Sequence, residues 1–237
     1  MKGQFEGFLE RGVEPTLLIK YCGNRSVSDI KACAGSLADY IGFIFAPSKR
    51  QVKADQVKQW LNELNLVDKK LVGVFVNAPI CEIEKTVKEL SLSIIQCHGT
   101  ETPSQIGAMK EQIGVPIWKA FHHCEGLVTT MAQYSGIVDG HIIDTKAQGA
   151  WGGTGISFDW RYVPYYIEEA ERQGVTCFIA GGIRAENIEQ LLSYQPHGID
   201  ISSGIEDDKG KSKRKIETIE RRVKLYGASS KSNGKIR

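Results

Sequence analysis

The sequence predicts one (β/α)8 barrel, the TIM-barrel fold of the α/β class. Eight short apolar runs typical of strands alternate along the chain with eight amphipathic segments typical of helices. This alternation implies parallel strands joined by right-handed crossovers. Eight such units in about 215 residues suit a compact barrel. An open doubly wound sheet is the alternative, but it usually has fewer strands at this length, and no Gly-x-Gly-x-x-Gly turn follows the first run.

The predicted elements follow one another from the first unit to the eighth. The first apolar run, 17–21, stops at Gly23, and Ser26 supplies a capping side chain for the next amphipathic segment, 26–36. Strands at 40–45, 71–76, 92–97 and 116–120 precede helices at 54–64, 80–90, 103–112 and 126–134. Strands at 136–143, 175–180 and 198–202 precede helices at 158–173, 185–194 and 213–226.

Composition and the N-terminal sequence favour a soluble protein with one domain. Of the 237 residues, 41% are hydrophobic and 24% are charged, which is ordinary for a globular protein with a substantial core. No stretch approaches the length of a membrane-spanning helix. Residues 1–14 contain three glutamates and no apolar core, which argues against a secretory signal or a transit peptide. We therefore expect a cytoplasmic protein with a flexible extension at 1–14, the barrel at 15–226 and a basic tail at 227–237.

The cysteines and the charges exclude other classes of protein. Six cysteines are widely spread, without a Cys-x-x-Cys pair or metal-finger spacing, so we expect reduced thiols. Basic residues gather from Lys209 onwards and are opposed only by Glu217 and Glu220. Such a run could bind nucleic acid, but aromatic residues do not interleave it regularly as stacking platforms would. A solvated helix and tail that help to attract an anionic substrate is the favoured interpretation, and no nucleic acid is expected.

Polar residues at predicted strand ends are candidates for catalysis or binding, because ligands collect at that edge of a barrel. Cys22 could be a general base or a nucleophile, although free cysteines are often core residues. Asp144 precedes a glycine-rich loop rather than a helix, so capping explains it poorly, and burial would suit it as a general acid. Arg50 could clamp a carboxylate, where the alternative is a solvated loop arginine. Further pocket candidates are Lys20, His98 and Asp200.

Glycine-rich turns after the sixth, seventh and eighth strands predict a phosphate site. They lie at 152–155, 181–182 and 202–204. Small side chains let backbone N–H groups approach an anion, and the loops after strands seven and eight are the usual phosphate site of a barrel. Each turn alone could be ordinary, but three on neighbouring strands favour a phosphorylated substrate. No His and carboxylate cluster has metal-ligand spacing, so we expect neither a metal nor a cofactor.

Several segments resemble a known enzyme family and occur in its order. They are residues 20–23, 38–45, 48–50, 72–77, 95–99, 143–144, 152–155, 158–160, 180–182 and 199–204. Between 17 and about 206 the chain resembles phosphoribosylanthranilate isomerase, the barrel enzyme of tryptophan biosynthesis. The resemblance implies an Amadori rearrangement in which Asp144 protonates the furanose ring oxygen and Cys22 removes the sugar C2 proton. It further implies that Arg50 holds the anthranilate carboxylate. The implied phosphate-binding residues are Gly155, Gly182, Ile183, Ser203 and Gly204.

Four alternatives remain beside this interpretation. Indole-glycerol-phosphate synthase uses Lys and Glu at strand ends and would leave Cys22 unexplained. A metal-dependent pentose-phosphate epimerase would need paired His and Asp ligands. An imidazole-carboxamide ribonucleotide isomerase usually works with two carboxylates. A catalytically inactive barrel that only binds a ligand or a partner protein would not need both Cys22 and Asp144. We expect a small phosphorylated substrate, no membrane association, and a monomer or a homodimer.

Overall fold

The computed structural model describes residues 17–64, 66, 68–145 and 157–233. Ten strands lie within these residues, and the first eight of them end at the predicted site. They are β1 (Leu18–Tyr21), β2 (Tyr40–Ile44), β3 (Lys70–Phe75), β4 (Ile94–Cys97), β5 (Ile117–His122), β6 (Gly140–Asp144), β7 (Thr176–Ile179), β8 (Gly198–Ile201), β9 (Glu206–Asp207) and β10 (Gly210–Lys211).

Eight α-helices lie in the described part of the chain. They are α1 (Val27–Ala34), α2 (Ala54–Asn62), α3 (Ile80–Leu90), α4 (Pro103–Ile113), α5 (Leu127–Ala132), α6 (Val163–Gln173), α7 (Ile188–Leu192) and α8 (Lys213–Asn233). Short 3-10 turns at Trp160–Tyr162 and Ser203–Ile205 precede α6 and follow β8. None of these helices is long and apolar enough to cross a membrane.

The first eight strands form a closed barrel, which confirms the predicted fold. Each pairs with its sequence neighbours in parallel, and β1 closes the barrel by pairing with β8. The register places Lys20 opposite Tyr40 on one side and Asp200 on the other. All eight carboxyl ends therefore meet at one rim, which is where a parallel barrel builds its site.

Two apolar layers, one outside the strands and one inside the barrel, pack beneath the rim. The larger core lies between strands and helices, and it contains Ile19 and Tyr21 of β1. Inside the barrel, Tyr40, Trp118 and Phe178 pack together, with ring centroids 4.8 to 5.7 Å apart. These rings fill the barrel interior below the rim, and polar side chains further along the strands, such as Gln96 and Asp200, line the cavity. Since side chains alternate along a strand, Lys20 and Cys22 share the inner face.

The sixth strand, the last helix and one hairpin differ from the sequence-based expectation, and the ends of several other elements shift by two to five residues. β6 begins at Gly140 rather than at residue 136, because Gly136 adopts a positive φ of 73° and turns the chain before the strand starts. The last helix, α8, continues to Asn233, so residues 227–233 of the predicted tail are helical. The antiparallel hairpin β9–β10 was not expected, and it pairs Lys211 with Glu206.

Candidate active site

A cavity at the carboxyl rim brings together eight of the eleven predicted site residues. They are Cys22, Arg50, His98, Asp144, Gly182, Ile183, Asp200 and Ser203. Lys20 lies fully buried beneath this cavity, and Gly204 lines a second cavity that shares Gly182, Ile183 and Ser203 with the first. Gly155 lies outside the described residues.

Cys22 extends the inner face of β1, and its thiol is next to the ammonium of Lys20. The Cys22 N–H donates to the Ile201 carbonyl at 3.0 Å, which continues the strand pairing beyond Tyr21. Burial raises the pKa of the Cys22 thiol, and the Lys20 charge and hydrogen bond oppose that rise without cancelling it. Lys20 itself forms an ion pair with Asp200, 2.9 Å between Nζ and Oδ2. The thiol is therefore buried but lies beside a fixed positive charge.

Gly42 on β2 makes room for this pair of side chains. A Cβ placed there would lie 2.8 Å from the Cys22 Sγ and 3.2 Å from the Lys20 Nζ. It would also lie 3.2 Å from the Cys22 Cα, an atom that cannot swing away as the end of a side chain can. A residue without a side chain at position 42 is thus a condition for the observed geometry of Cys22.

Asp144 ends β6 and has the electrostatics of a general acid. Burial raises the pKa of its carboxyl to about 6, although the Thr145 N–H opposes this by donating to Oδ1 at 2.7 Å. The second oxygen, Oδ2, lies 3.7 Å from the Nε2 of His98. A carboxyl group with this pKa is partly protonated near neutral pH, as a proton donor must be.

His98 faces the same cavity as a neutral ring. Burial lowers its pKa to about 3, and the nearby His122, Lys119 and Lys20 add to that effect. The Gln96 Nε2 lies 3.2 Å from the His98 Nδ1, and because an amide nitrogen only donates, Nδ1 accepts and Nε2 carries the proton. His98 therefore presents an N–H group towards Asp144 and the cavity.

Three buried polar atoms at the cavity have no hydrogen-bond partner among the described residues. They are Gln96 Oε1, His98 Nε2 and Asp200 Oδ1. Buried polar groups are almost always satisfied in folded proteins, and exceptions call for an explanation. One donor and two acceptors that converge on one cavity indicate a polar ligand, with hydroxyl groups suited to both kinds of contact.

Arg50 lines the cavity, but one edge of its guanidinium is already bound. Its Nε and Nη2 donate to the two carboxylate oxygens of Glu206 at 2.8 and 2.7 Å. Lys211 approaches the same carboxylate at 2.8 Å. Burial acts to raise the pKa of Glu206, yet the hydrogen bonds from Arg50 and the charge of Lys211 lower it to about 2. Glu206 is therefore ionised, and only part of Arg50 remains for a ligand.

The loops after β7 and β8 have the backbone of an anion site. Gly181 and Gly182 adopt positive φ angles of 82° and 66°, which side-chain-bearing residues rarely adopt. A Cβ on Gly204 would lie 1.9 Å from the Ile183 carbonyl oxygen, so the two loops touch backbone to backbone. The second cavity lies against these loops and is also lined by Arg214 and Lys215 at the start of α8. Backbone amides of glycine-rich loops together with two cations suit a phosphate.

The described residues hold no group of three or more His, Cys, Asp or Glu side chains placed to bind a metal ion.

Sequence reasoning missed Glu206 and Lys211 as members of the site. Gln96 is one of the polar residues at the predicted strand ends, and the structure places it in the cavity, two residues before His98 on the inner face of β4. Glu206 and Lys211 belong to the unexpected hairpin. The partner Arg50 is 156 residues away from Glu206 in sequence, so no local pattern reveals the contact.

The chain is similar to one family along most of its length. A profile of the family described as N-(5'phosphoribosyl)anthranilate (PRA) isomerase matches residues 19–222. The N-(5'-phosphoribosyl)anthranilate isomerase of Geobacillus thermodenitrificans is 54% identical over 213 residues, which are 90% of this chain and 96% of that protein.

Solved structures agree with the sequence comparison. The phosphoribosyl anthranilate isomerase of Thermus thermophilus has a TM-score of 0.75 and 26% identity, over 88% of this chain and 99% of that one. A structure of monomers of the dimeric phosphoribosylanthranilate isomerase of Thermotoga maritima has a TM-score of 0.73 and 26% identity, over 89% and 100% of the two chains.

Proposed function

The chain belongs to the N-(5'-phosphoribosyl)anthranilate isomerase family, and we propose from this and from the site that Cys22 and Asp144 carry out its reaction. The enzyme converts N-(5-phosphoribosyl)anthranilate into 1-(2-carboxyphenylamino)-1-deoxyribulose 5-phosphate, a step of tryptophan biosynthesis. Family membership favours this Amadori rearrangement over the synthase, epimerase and binding-protein alternatives. One observation carries the proposal: the thiol of Cys22 and the carboxyl group of Asp144, whose pKa is raised, line the same cavity.

Asp144 begins the reaction as the general acid. Its proton passes to the furanose ring oxygen, the C1–O bond of the ring breaks, and the nitrogen lone pair forms a cationic Schiff base with C1. The raised pKa of Asp144, about 6, supports this role because a carboxyl group at its ordinary pKa would hold almost no proton at neutral pH.

Cys22 completes the rearrangement as the general base. Its thiolate removes the C2 proton, and the electron pair of the broken C–H bond neutralises the Schiff base to give an enolamine. The enolamine then loses its hydroxyl proton and gains a proton at C1, which yields the ketone. The adjacent Lys20 and the cationic Schiff base both favour the thiolate. Proton transfer from Cys22 back to Asp144 resets the site, and no covalent intermediate forms.

The remaining residues bind the two ends and the middle of the substrate. Arg50 would hold the anthranilate carboxylate. The unpaired atoms of Gln96, His98 and Asp200 suit the sugar hydroxyls. Backbone amides bind the phosphate at the other end. These amides belong to Gly182, Ile183, Ser203 and Gly204, and Gly155 is proposed to join them.

Complementation tests the proposal directly. The chain should restore growth of a tryptophan auxotroph that lacks this isomerase, whereas Cys22→Ala and Asp144→Ala should not. The purified variants should keep the wild-type circular dichroism spectrum and melting behaviour. Failure of the unmodified chain, or rescue by a folded double variant, would refute the assignment.

The oligomeric state and the location of the enzyme are separate proposals. We propose a cytoplasmic enzyme that is a monomer or a homodimer; the similar Thermotoga maritima protein is described as dimeric with monomers also obtained. Light scattering after size exclusion separates the two states, and any larger assembly would contradict the proposal.

A further inference from the structure

Arg50 has one occupied edge and one unoccupied edge. The bidentate contact with Glu206 uses Nε and Nη2, which are two of the three guanidinium nitrogens. Within the described residues no acceptor lies at hydrogen-bond distance from Nη1, although Arg50 is 4% exposed and lines the cavity. The edge left for a ligand is therefore the one formed by Nη1 and Nη2.

Glu206 is held between two cations, and the three side chains carry one excess positive charge. The Glu206 Oε1 lies 2.8 Å from the Lys211 Nζ, and the Arg50 contacts are equally short. Their side chains are 5%, 14% and 0% exposed for Arg50, Glu206 and Lys211. An unbalanced positive charge in such a buried place is costly until an anion approaches. A ligand carboxylate would balance it.

The same cluster is tied to the backbone around Cys22. Lys211 Nζ donates to the carbonyl oxygens of Cys22 and Ser202. Gly23 has a positive φ of 76°, and a Cβ there would lie 2.4 Å from the Arg50 Cδ. The stem of Arg50 therefore lies directly against the peptide that follows Cys22. The position of the guanidinium and that of the thiol are set by one packed unit.

We propose that Glu206 is a positioning residue for substrate carboxylate recognition. By binding the Nε edge of Arg50, it directs the Nη1–Nη2 edge to one place in the cavity. There this edge can bind a substrate carboxylate only when the carboxylate is ortho to the amine nitrogen. This inference rests on the proposed function, in which Arg50 binds the anthranilate carboxylate. The competing explanation is that Glu206 only fastens the β9–β10 hairpin to the barrel.

Two stable ligands that differ only in the position of the carboxylate test the proposal. One is the reduced form of 1-(2-carboxyphenylamino)-1-deoxyribulose 5-phosphate, and the other is its 3-carboxyphenyl isomer. Calorimetry gives Kd for both with the full chain, with Glu206→Ala and with Asp208→Ala. The wild type should prefer the ortho isomer by at least about tenfold. Glu206→Ala should reduce this ratio to within about threefold, because a released Arg50 reaches both carboxylates.

The ratio of the two Kd values distinguishes a positioning role of Glu206 from an effect of its charge and from an effect on folding. Removal of the Glu206 charge changes the attraction for both isomers alike, so only a change in orientation moves the ratio. Asp208→Ala alters an exposed residue of the same hairpin and should leave the ratio unchanged. If Glu206→Ala does not fold, Glu206→Asp keeps the charge, shortens the reach by one methylene and should also lower the ratio.

An unchanged ratio in a folded Glu206 variant would overturn the inference and leave the hairpin explanation. The absence of an ortho preference in the wild type would overturn it as well. Both outcomes differ from a failure of the proposed function, which would appear as lost isomerase activity of the wild-type chain in the complementation experiment.

Discussion

Lys20 on β1 and Asp200 on β8 lie directly opposite each other on neighbouring strands, and their side chains form a buried ion pair with 2.9 Å between Nζ and Oδ2. The closure of the barrel creates this contact, because the two residues are 180 positions apart in sequence. Lys20 also contacts the thiol of Cys22, and the second oxygen of Asp200 has no partner among the described residues. One ion pair thus connects the proposed base with the ligand-facing wall of the cavity.

Loss of the Lys20 charge should make the Cys22 thiol less reactive. Lys20→Met alone would leave Asp200 as a buried unpaired charge, at a cost of about 3–5 kcal/mol. We therefore choose the double variant with Asp200→Asn. The effect of Lys20 on the Cys22 pKa exceeds that of Asp200, so the pKa should rise further. Alkylation of Cys22 by iodoacetamide at pH 8, followed by mass spectrometry, should slow about tenfold for each unit of increase in pKa.

Cys81 provides the internal control for this measurement. Its thiol is exposed, lies on α3 and lines neither of the two cavities at the rim, so its alkylation rate should not change. An unchanged rate at Cys22, with Cys81 also unchanged, would show that Lys20 does not act on the thiol.

The activity of the wild type should rise with pH up to about 6 and then level off. The active form needs Asp144 protonated and Cys22 ionised, but Asp144 titrates at about 6 and the Cys22 pKa is raised above its ordinary range. Below pH 6 the thiolate fraction grows with pH while Asp144 stays protonated. Above pH 6 the loss of the Asp144 proton offsets the gain in thiolate. The measurement is kcat between pH 5 and 9, and a steady fall of kcat from pH 5 upwards would contradict the assignment.

Asp144→Asn should abolish activity and stabilise the fold at alkaline pH. Burial raises the folded-state pKa from 3.8 to about 6, so ionisation is harder in the folded state and destabilises it. The penalty is absent below pH 3.8, develops between 3.8 and 6, and is complete above 6. At pH 8 the variant should be more stable by about 2–3 kcal/mol. Urea unfolding at pH 5 and pH 8 checks this, since the advantage should be smaller at pH 5.

Equal unfolding free energies of Asp144→Asn and the wild type at pH 8 would show that Asp144 ionises without penalty. Asn is the suitable replacement, because its amide oxygen can still accept the Thr145 N–H that now donates to Oδ1.

Gly42→Ala should reduce kcat at least about tenfold by displacing Cys22. The added Cβ would lie 2.8 Å from Sγ and 3.2 Å from the Cys22 Cα, so the backbone itself must shift. Gly107→Ala on α4 is the matched control, because a Cβ there meets nothing within 4 Å. This control should keep full activity and gain about 0.5–1 kcal/mol of stability from helix propensity. Wild-type kcat in a folded Gly42→Ala variant would contradict the steric argument.

Most of the fold was predictable from local patterns. Strands with apolar runs and helices with amphipathic segments differ in period, and eight alternating units imply a parallel barrel. Boundaries were less predictable, because they depend on turns such as the one at Gly136. The hairpin β9–β10 was missed since its two-residue strands carry no apolar pattern, and they pair through Glu206 and Lys211 rather than through a hydrophobic face.

Residue order and side-chain type are enough to predict the barrel and the strand ends near which Cys22, Asp144 and Arg50 lie. The surroundings of these three residues become visible only in the folded chain. Burial raises the pKa of Asp144, Asp200 holds Lys20 beside the thiol, and Glu206 occupies one edge of Arg50. Each of these depends on contacts between residues far apart in sequence. The physical reason is that desolvation and ion pairing act through space, whereas a linear pattern reports only what lies next along the chain.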